Sequence, residues 1–249
     1  MSFGDILHSA QASASDTVSP YTVSVTITSP TSGSLLVVAY SWAAGATLTA
    51  YTTPSGWTPL TASPASTATA TGAWFYKISD GTETSVVGSA DGAANQLIRG
   101  AYVEIEGPFA ASPLDVTAEN EANLNTFVAS EASGTTATTA QGDECLVVFF
   151  SGISAQNIDG GRAYSNSFVE AIFASATLST ARPGVAIATL VVSTTGAYSC
   201  TYTTTDAGDK MYGAIATFNK QVSSAVLMSS TFPDRGRTRP RPYAPGIAR

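Results

Sequence analysis

The chain has 249 residues, of which 44% are hydrophobic and only 12% are charged, and its net charge is −7. A chain of this length and apolar content can bury a substantial core, so the composition excludes an intrinsically disordered protein. No run of eighteen apolar residues occurs, which predicts no membrane span, and the start MSFGDILHSAQASAS lacks the basic residues and apolar run of a secretory signal.

Short segments typical of β-strands follow one another along the first 220 residues. Polar and apolar residues alternate in 22–29, 73–78, 101–105, 198–202 and 212–218, whereas 35–39, 146–150 and 185–192 are continuously apolar. Asp-Gly and Gly-rich turns separate these segments at hairpin-like intervals. We therefore predict an all-β protein of about a dozen antiparallel strands, packed as a jelly-roll-like sandwich.

Two parts of the chain carry the same kinds of segment in the same order. Residues 36–38 and 146–148 are both Leu-Val-Val, and we align 102–105 with 213–216. This predicts pseudo-repeats over about 20–107 and 142–220 that close a single sandwich domain, 1–220, with each half contributing strands to both sheets. The Ser/Thr/Ala-rich stretch 108–141 is interpreted as a crossover on the surface.

The last 29 residues form a separate segment of opposite charge. Residues 1–220 carry a net charge of −11 and residues 221–249 a net charge of +4. Prolines at 233, 240, 242 and 245 exclude helix and ladder strand, so the segment is expected to be extended.

Three interpretations fit this Arg/Pro-rich tail: a nucleic-acid contact, a solubilising end, or a docking peptide that pairs with carboxylates of a neighbouring subunit. We favour docking and expect no nucleic-acid partner, because the body is acidic and the tail offers few stacking aromatic residues. The candidate docking residues are Arg235, Arg237, Arg239, Arg241, Tyr243 and Arg249.

The sequence contains little that could support catalysis. His8 is the only histidine and lies far in sequence from any serine or cysteine motif, and neither a G-x-S-x-G elbow nor a phosphate-binding glycine loop occurs. The carboxylate pairs Glu104/Glu106 and Glu119/Glu121 could in principle hydrolyse a glycoside. We favour a solvated strand face for the first pair, and we predict no enzymatic activity and no cofactor.

Oxygen-bearing side chains are concentrated in one loop-like region: Asp115, Glu119, Asn120, Glu121, Asn123 and Asn125. A hard cation would accept such ligands, but their spacing matches no EF-hand loop, and Asx residues also make turns without a metal. We predict a polar loop with no metal.

Cys145 and Cys200 are the only cysteines and have no C-x-x-C spacing. A disulfide between them stays open, although two buried thiols are favoured for a protein made in a reducing cytosol.

Aromatic residues raise the possibility of sugar stacking. Trp42 and Trp57 lie at predicted strand ends beside glycines, where one ring could be exposed to a glycan, whereas Trp74 lies inside a strand. Core positions are favoured for all three tryptophans.

The order of segments resembles the β-sandwich modules of tailed-bacteriophage virion proteins, of the head-decoration, head-fibre or tail-appendage type. The segments that carry the resemblance are SGSLLVVAYSW, GWTPL, GAWFYKISDGTETSVV, ANQLIRGAYVEIEG, PLDVTA, GDECLVVFF, YSCTYTTTDAGDKMYGAIATF and the tail RPRPYAPGIAR.

This resemblance implies a non-enzymatic structural component of a phage virion. Such a protein would be assembled in the host cytoplasm, mounted on the capsid or the tail, homo-oligomeric, and in contact with other virion proteins rather than with a membrane. The alternative is a carbohydrate-binding module of a fibre or tail tip that recognises a host surface glycan through Trp42 or Trp57.

Overall fold

The structure, a computed structural model, describes residues 1–16, 18–44, 48–60, 70–92, 96–123, 128–154, 161–175, 182–205 and 209–222. These ranges contain sixteen β-strands in four sheets and no helix, and every strand pair is antiparallel. The all-β, antiparallel sandwich class predicted from the sequence is confirmed. The jelly-roll type stays a prediction.

The first half of the chain forms a large and a small sheet. Its strands are β1 (Ile6–Asp16), β2 (Tyr21–Thr26), β3 (Leu35–Ala44), β4 (Leu48–Thr52), β5 (Thr58–Pro59), β6 (Ala70–Ile78), β7 (Ser85–Gly92) and β8 (Gln96–Ile105). The large sheet has the order β1-β8-β3-β6-β5, and the small sheet has the order β2-β7-β4.

The second half forms its own pair of sheets. Its strands are β9 (Phe109–Asn120), β10 (Ser130–Thr135), β11 (Asp143–Ser154), β12 (Ala163–Tyr164), β13 (Val169–Ser175), β14 (Arg182–Ser193), β15 (Ser199–Thr203) and β16 (Asp209–Lys220). The orders are β13-β14-β11-β16-β9 and β10-β15-β12. Adding eight to each strand number of the first half gives these same neighbours, so both halves have one strand order.

The four sheets stack as four layers, because the large sheets are buried on both faces. One face of β3 enters a central core shared by the two large sheets, and the other enters a core between the large and small sheets of the first half. The side chains on these two faces are Leu35, Val37 and Ala39 in the central core, and Leu36, Val38, Tyr40 and Trp42 in the outer core. This double burial is why the strand is a continuous apolar run.

β11 repeats this arrangement in the second half. Val147 and Phe149 lie in the central core, while Leu146, Val148 and Phe150 lie in the outer core of the second half. Trp74 of β6 stacks on Phe149 across the central core, with ring centroids 5.6 Å apart. The two halves therefore share one core at their junction.

Several expectations about the repeat were wrong. Among the described strands no sheet is shared between the halves, the first half begins at β1 rather than near residue 20, and the expected surface crossover 108–141 contains β9 and β10. β9 and β10 are rich in serine, threonine and alanine, so the sequence shows little alternation of apolar and polar residues there. Both strands are held in their sheets by main-chain pairing and by partly buried faces.

The alignment of the two halves also needs a shift of two residues at the last strand. Val38 pairs with Tyr102 of β8, and Val148 pairs with Ile215 of β16. Residues 102–105 therefore correspond to 215–218 rather than 213–216 when Val38 and Val148 are taken as equivalent.

An aromatic ring over a glycine marks the same place in both halves. Tyr40 pairs with Gly100, and a Cβ atom on Gly100 would lie 3.0 Å from the ring. Phe150 pairs with Gly213, where a Cβ atom would lie 2.8 Å from the ring. The glycines leave the space that each ring fills between the layers.

Candidate functional site

Glu104, near the end of β8, has a fully buried carboxylate that joins three parts of the first half. One oxygen accepts hydrogen bonds from the Thr31 amide at 2.6 Å and the Ser34 hydroxyl at 2.9 Å. The other oxygen lies 2.7 Å from Nδ1 of His8. Since Thr31 and Ser34 border β3 and His8 lies on β1, the carboxylate anchors a loop and an edge strand to β8.

The surroundings of Glu104 favour its charged form. Burial opposes ionisation, but the hydrogen bonds from the Thr31 amide, His8 and Ser34 outweigh it, so the pKa of Glu104 lies below its ordinary value. In a nucleophilic Ser-His pair the imidazole must contact the hydroxyl. Here His8 and Ser34 each contact a different oxygen of Glu104, so the carboxylate separates the imidazole from the hydroxyl. The arrangement links three parts of the fold and does not form such a pair.

The pair Glu104/Glu106 does not form a solvated strand face, so that expectation was wrong. Glu104 is covered by the outer core of the first half, while Glu106 lies beyond the end of β8. Glu106 lines an open cavity of about 380 Å³ together with residues 31–34, Ile78, 107–111 and Gln221. It is the one carboxylate among the described lining residues, so the cavity lacks the acid pair that glycoside hydrolysis requires.

The oxygen-bearing side chains of residues 115–123 make hydrogen bonds within the fold. Glu119 accepts a hydrogen bond from the Tyr212 hydroxyl at 2.7 Å, and Asp115 accepts one from the Ala140 amide at 2.7 Å. Asn120 accepts a hydrogen bond from the Ala122 amide, which makes an Asx turn. Across the described residues, no group of three or more histidine, cysteine or acidic side chains is placed to hold a metal. Asn125 lies outside the described residues.

A related buried cluster occurs in the second half, where a hydroxyl stands at the position of the first half's carboxylate and a carboxylate stands at the position of its hydroxyl. Leu36 pairs with Glu104 and Leu146 pairs with Thr217, and the residues two positions before these leucines are Ser34 and Glu144. Glu144 and Thr217 are both fully buried. Each half thus places one acid and one hydroxyl at this end of its large sheet, on opposite strands.

Glu144 has a different electrostatic environment from Glu104. Burial raises the pKa of Glu144, and the nearby Asp115 carboxylate raises it further, while interactions with the Thr217 hydroxyl and the Gln141 amide lower it by less. The two clusters therefore differ in the direction in which their surroundings shift the pKa of the acid, as well as in the order of their residues.

A third acid, Glu131 of β10, is 1% exposed and lies opposite Tyr202 of β15. Burial raises the pKa of Glu131 to about 7, and the Asn123 side chain and the Ala132 amide offset only part of this effect. An acid near neutral pKa is chemically useful only where a substrate can reach it. Glu131 instead lies in the layer between the two sheets of the second half.

Arg162 and Glu170 form a two-pronged ion pair at the surface of the second half. The Arg162 Nε and Nη2 atoms lie 2.9 and 3.0 Å from the two Glu170 oxygens, and the Tyr164 hydroxyl donates to Glu170 at 2.8 Å. The guanidinium also lies 4.0 Å above the Phe173 ring. This pairing holds β12 and β13 together and leaves the guanidinium well satisfied.

The tryptophans do not form an exposed stacking surface as a set. Trp42 is 0% exposed and stacks on Tyr51, which confirms the favoured core position, and the small sheet that covers its ring rules out the alternative in which Trp42 contacts a glycan. Trp74 is in the central core. Trp57 is only partly buried against the outer core of the first half, and it follows Gly56, whose φ is +77°.

Cys145 and Cys200 are free and buried, which confirms the favoured thiol state. Burial raises the pKa of Cys145 to about 12 and that of Cys200 to about 11, so neither thiol is activated at neutral pH.

The candidate docking residues Arg235, Arg237, Arg239, Arg241, Tyr243 and Arg249 lie outside the described residues. The described part ends just after β16, where the Gln221 amide donates to the Pro108 carbonyl oxygen at 3.0 Å.

The part of the chain that the structure describes has no helix whose length and hydropathy would let it cross a bilayer. Comparison with family models, curated proteins and solved structures finds no match.

Proposed function

We propose that this chain is a non-enzymatic structural component of a phage virion, mounted on the capsid or tail and held there by its basic C-terminal segment. The observation that carries the proposal is the division of charge between the two parts of the chain. A body of net charge −11 is followed by a segment of net charge +4 that contains five arginines and four prolines. Such a segment can bind carboxylates on a neighbouring subunit at a low ordering cost.

The arrangement of the buried acids supports a structural role for the body. The hydrogen bonds of Glu104 run to a loop and an edge strand, and Arg162, just before β12, binds Glu170 of β13 in the other sheet of the second half. The hydrogen-bonding groups of these side chains are paired with other groups of the same chain. The stacked sheets and the resemblance to virion modules agree with a rigid part of a larger particle.

The test is incorporation into particles after removal of residues 223–249. This deletion keeps Gln221 and its hydrogen bond to Pro108 and removes all five tail arginines. We expect a folded body that is lost from purified particles. A full-length variant with glutamine in place of the five arginines separates the effect of charge from that of length. Normal incorporation of the truncated chain would refute docking by the tail.

The second candidate function is recognition of a host glycan at a fibre or tail tip. It depends on Trp57, whose ring is partly exposed beside a glycine turn. Glycan-array binding by the purified chain that disappears in Trp57→Ala, together with labelling at the tail tip, would support it. Trp42→Ala is not a suitable test, since it removes a core residue.

A further inference from the structure

β1 forms a long edge of the large sheet of the first half. Residues Ser9 to Asp16 pair without interruption with Val103 to Gln96 of β8, and the only irregularity lies between Ile6 and His8. β1 ends the strand order of its sheet in the described part of the chain. No other described strand pairs with the outer main-chain groups of β1, which can therefore accept a further strand.

The composition of this edge lacks the usual protection. Natural sheets block exposed edges with charged side chains, proline or bulges. Residues 9–15 read Ser-Ala-Gln-Ala-Ser-Ala-Ser and contain neither a charge nor a proline. The alternate residues Ser9, Gln11, Ser13 and Ser15 are exposed, while Ala10, Ala12 and Ala14 pack against the outer core.

The equivalent edge of the second half is blocked. β9 holds the same place in its sheet as β1, but it contains Pro113, Asp115 and Glu119, and its pairing with β16 is broken at two points. Since the two halves share one strand order, β9 shows that the edge position occupied by β1 can carry blocking residues in this fold. The other described edge strands are shorter than β1.

We propose that β1 pairs with β1 of a second copy of this chain, antiparallel about a two-fold axis at Ala12. In this register Ser9 pairs with Ser15, Ala10 with Ala14, and Gln11 with Ser13. Alanines meet alanines on the core side, small polar residues meet on the exposed side, and no like charges face each other. The five-stranded sheets that contain β1 in the two copies then form one continuous ten-stranded sheet. The inference is independent of the proposed virion role and of the tail.

The first test is the mass of the full chain in solution by light scattering across a concentration series into the high micromolar range. We expect a shift from 25.4 kDa toward twice that mass. Gln11→Lys with Ser13→Lys places lysines directly opposite each other in the two-fold register and should abolish the shift. Thr22→Lys with Ser24→Lys adds the same charge to exposed positions of the adjacent edge strand β2 and should leave it intact.

The second test uses the register itself. Directly opposite Cα atoms in an antiparallel pair lie about 4.5–5.5 Å apart, which suits a disulfide. Ala12→Cys should therefore cross-link two copies under mild oxidation. Ala14→Cys should not, since its two copies would stand roughly 13 Å apart along the strands. The native thiols are buried and provide no competing link.

Three outcomes would overturn the proposal: a wild-type chain that stays monomeric throughout, a lysine variant of β1 that associates as the wild type does, or equal cross-linking at positions 12 and 14. Circular dichroism of each variant establishes that the β fold is kept. Removal of residues 223–249 should leave the association unchanged, and its loss in that variant would assign the contact to the tail instead.

Discussion

Buried acids in this protein differ in how well their neighbours satisfy them. Glu104 accepts hydrogen bonds from a backbone amide and a serine hydroxyl and pairs with a histidine, whereas Glu131 is buried with weaker polar contacts. The surroundings of Glu104 stabilise its charged form inside the fold, whereas those of Glu131 disfavour the charged form. The two residues should therefore respond in opposite ways to loss of their carboxylates.

Replacing Glu104 with alanine should lower the free energy of unfolding by about 2–4 kcal/mol, because the buried Thr31 amide loses its acceptor and the Ser34 hydroxyl keeps only the Thr31 carbonyl oxygen. Glu104→Gln keeps one acceptor and should cost less. Urea unfolding at pH 7 measures both changes. Glu106→Ala, two residues away at the cavity wall, is the matched control and should change stability by less than about 0.5 kcal/mol. Equal effects at both positions would contradict the anchoring role.

Glu131 should make the protein less stable as the pH rises. Its folded-state pKa of about 7 lies above the ordinary 4.5, so the folded protein binds more protons than the unfolded chain between these values. Stability contributed by the protonated acid is present below the ordinary pKa and is lost as the pH rises through 7. Glu131→Gln should therefore raise the unfolding free energy at pH 8 by about 1–3 kcal/mol and have little effect near pH 4.

Urea unfolding from pH 4 to pH 8 tests this sign. Glu170→Gln serves as a contrast, since Arg162 and Tyr164 hold the Glu170 carboxylate in its charged form, and its loss should destabilise the protein at pH 8. A Glu131→Gln variant that is less stable than the wild type at pH 8 would contradict the prediction.

These residue clusters could not be predicted from the sequence. His8 and Glu104 are 96 residues apart, and Ser34 and Glu104 are 70 residues apart, so only the strand order brings them together. The local pattern argued against burial, because Glu104 alternates with Val103 and Ile105 as a solvent-facing side chain of a half-buried strand would. Acids are rarely fully buried unless paired, which favoured the solvated interpretation.

Among the elements, the continuously apolar inner strands β3 and β11 could be predicted, and the edge strands β1, β9 and β10 could not. β3 and β11 are apolar on both faces because each separates two cores, and this double burial is visible in the sequence as the continuous apolar runs 35–39 and 146–150. β1, β9 and β10 are rich in serine, threonine and alanine and contribute few large side chains. Their strand conformation follows from main-chain pairing with β8, β16 and β15, which a local pattern does not record.

The contact between the two sheets of the first half depends on glycine. A Cβ atom on Gly88 of β7 would lie 2.5 Å from the Tyr40 ring of β3. Gly88→Ala should therefore force the sheets apart and lower the unfolding free energy by about 1–3 kcal/mol. Tyr40→Phe keeps the ring and removes a buried hydroxyl without a hydrogen-bond partner, so it should be neutral or slightly stabilising. Thermal and urea unfolding distinguish the two, and a tolerated alanine at 88 would contradict the packing argument.

For the whole molecule, the sequence predicted the duplication of segments more readily than how the halves assemble. A chain of 249 residues fits one sandwich, and nothing in a strand's local pattern says which sheet covers its second face. The continuous apolar runs required cover on both faces, and the four-layer stack provides it through the central core. That shared core should make the two halves unfold together.

The three tryptophans provide a direct test of this coupling, because all of them lie in the first half. Phe150→Leu removes packing from the outer core of the second half and should cost about 1–2 kcal/mol. If the central core couples the halves, tryptophan fluorescence and far-ultraviolet circular dichroism should report the same lowered urea midpoint. Phe75→Leu in the outer core of the first half is the control that fluorescence must detect in either case. A fluorescence midpoint that stays at the wild-type value in Phe150→Leu, while circular dichroism shows an earlier transition, would mean that the halves unfold independently despite the stacking of Trp74 on Phe149.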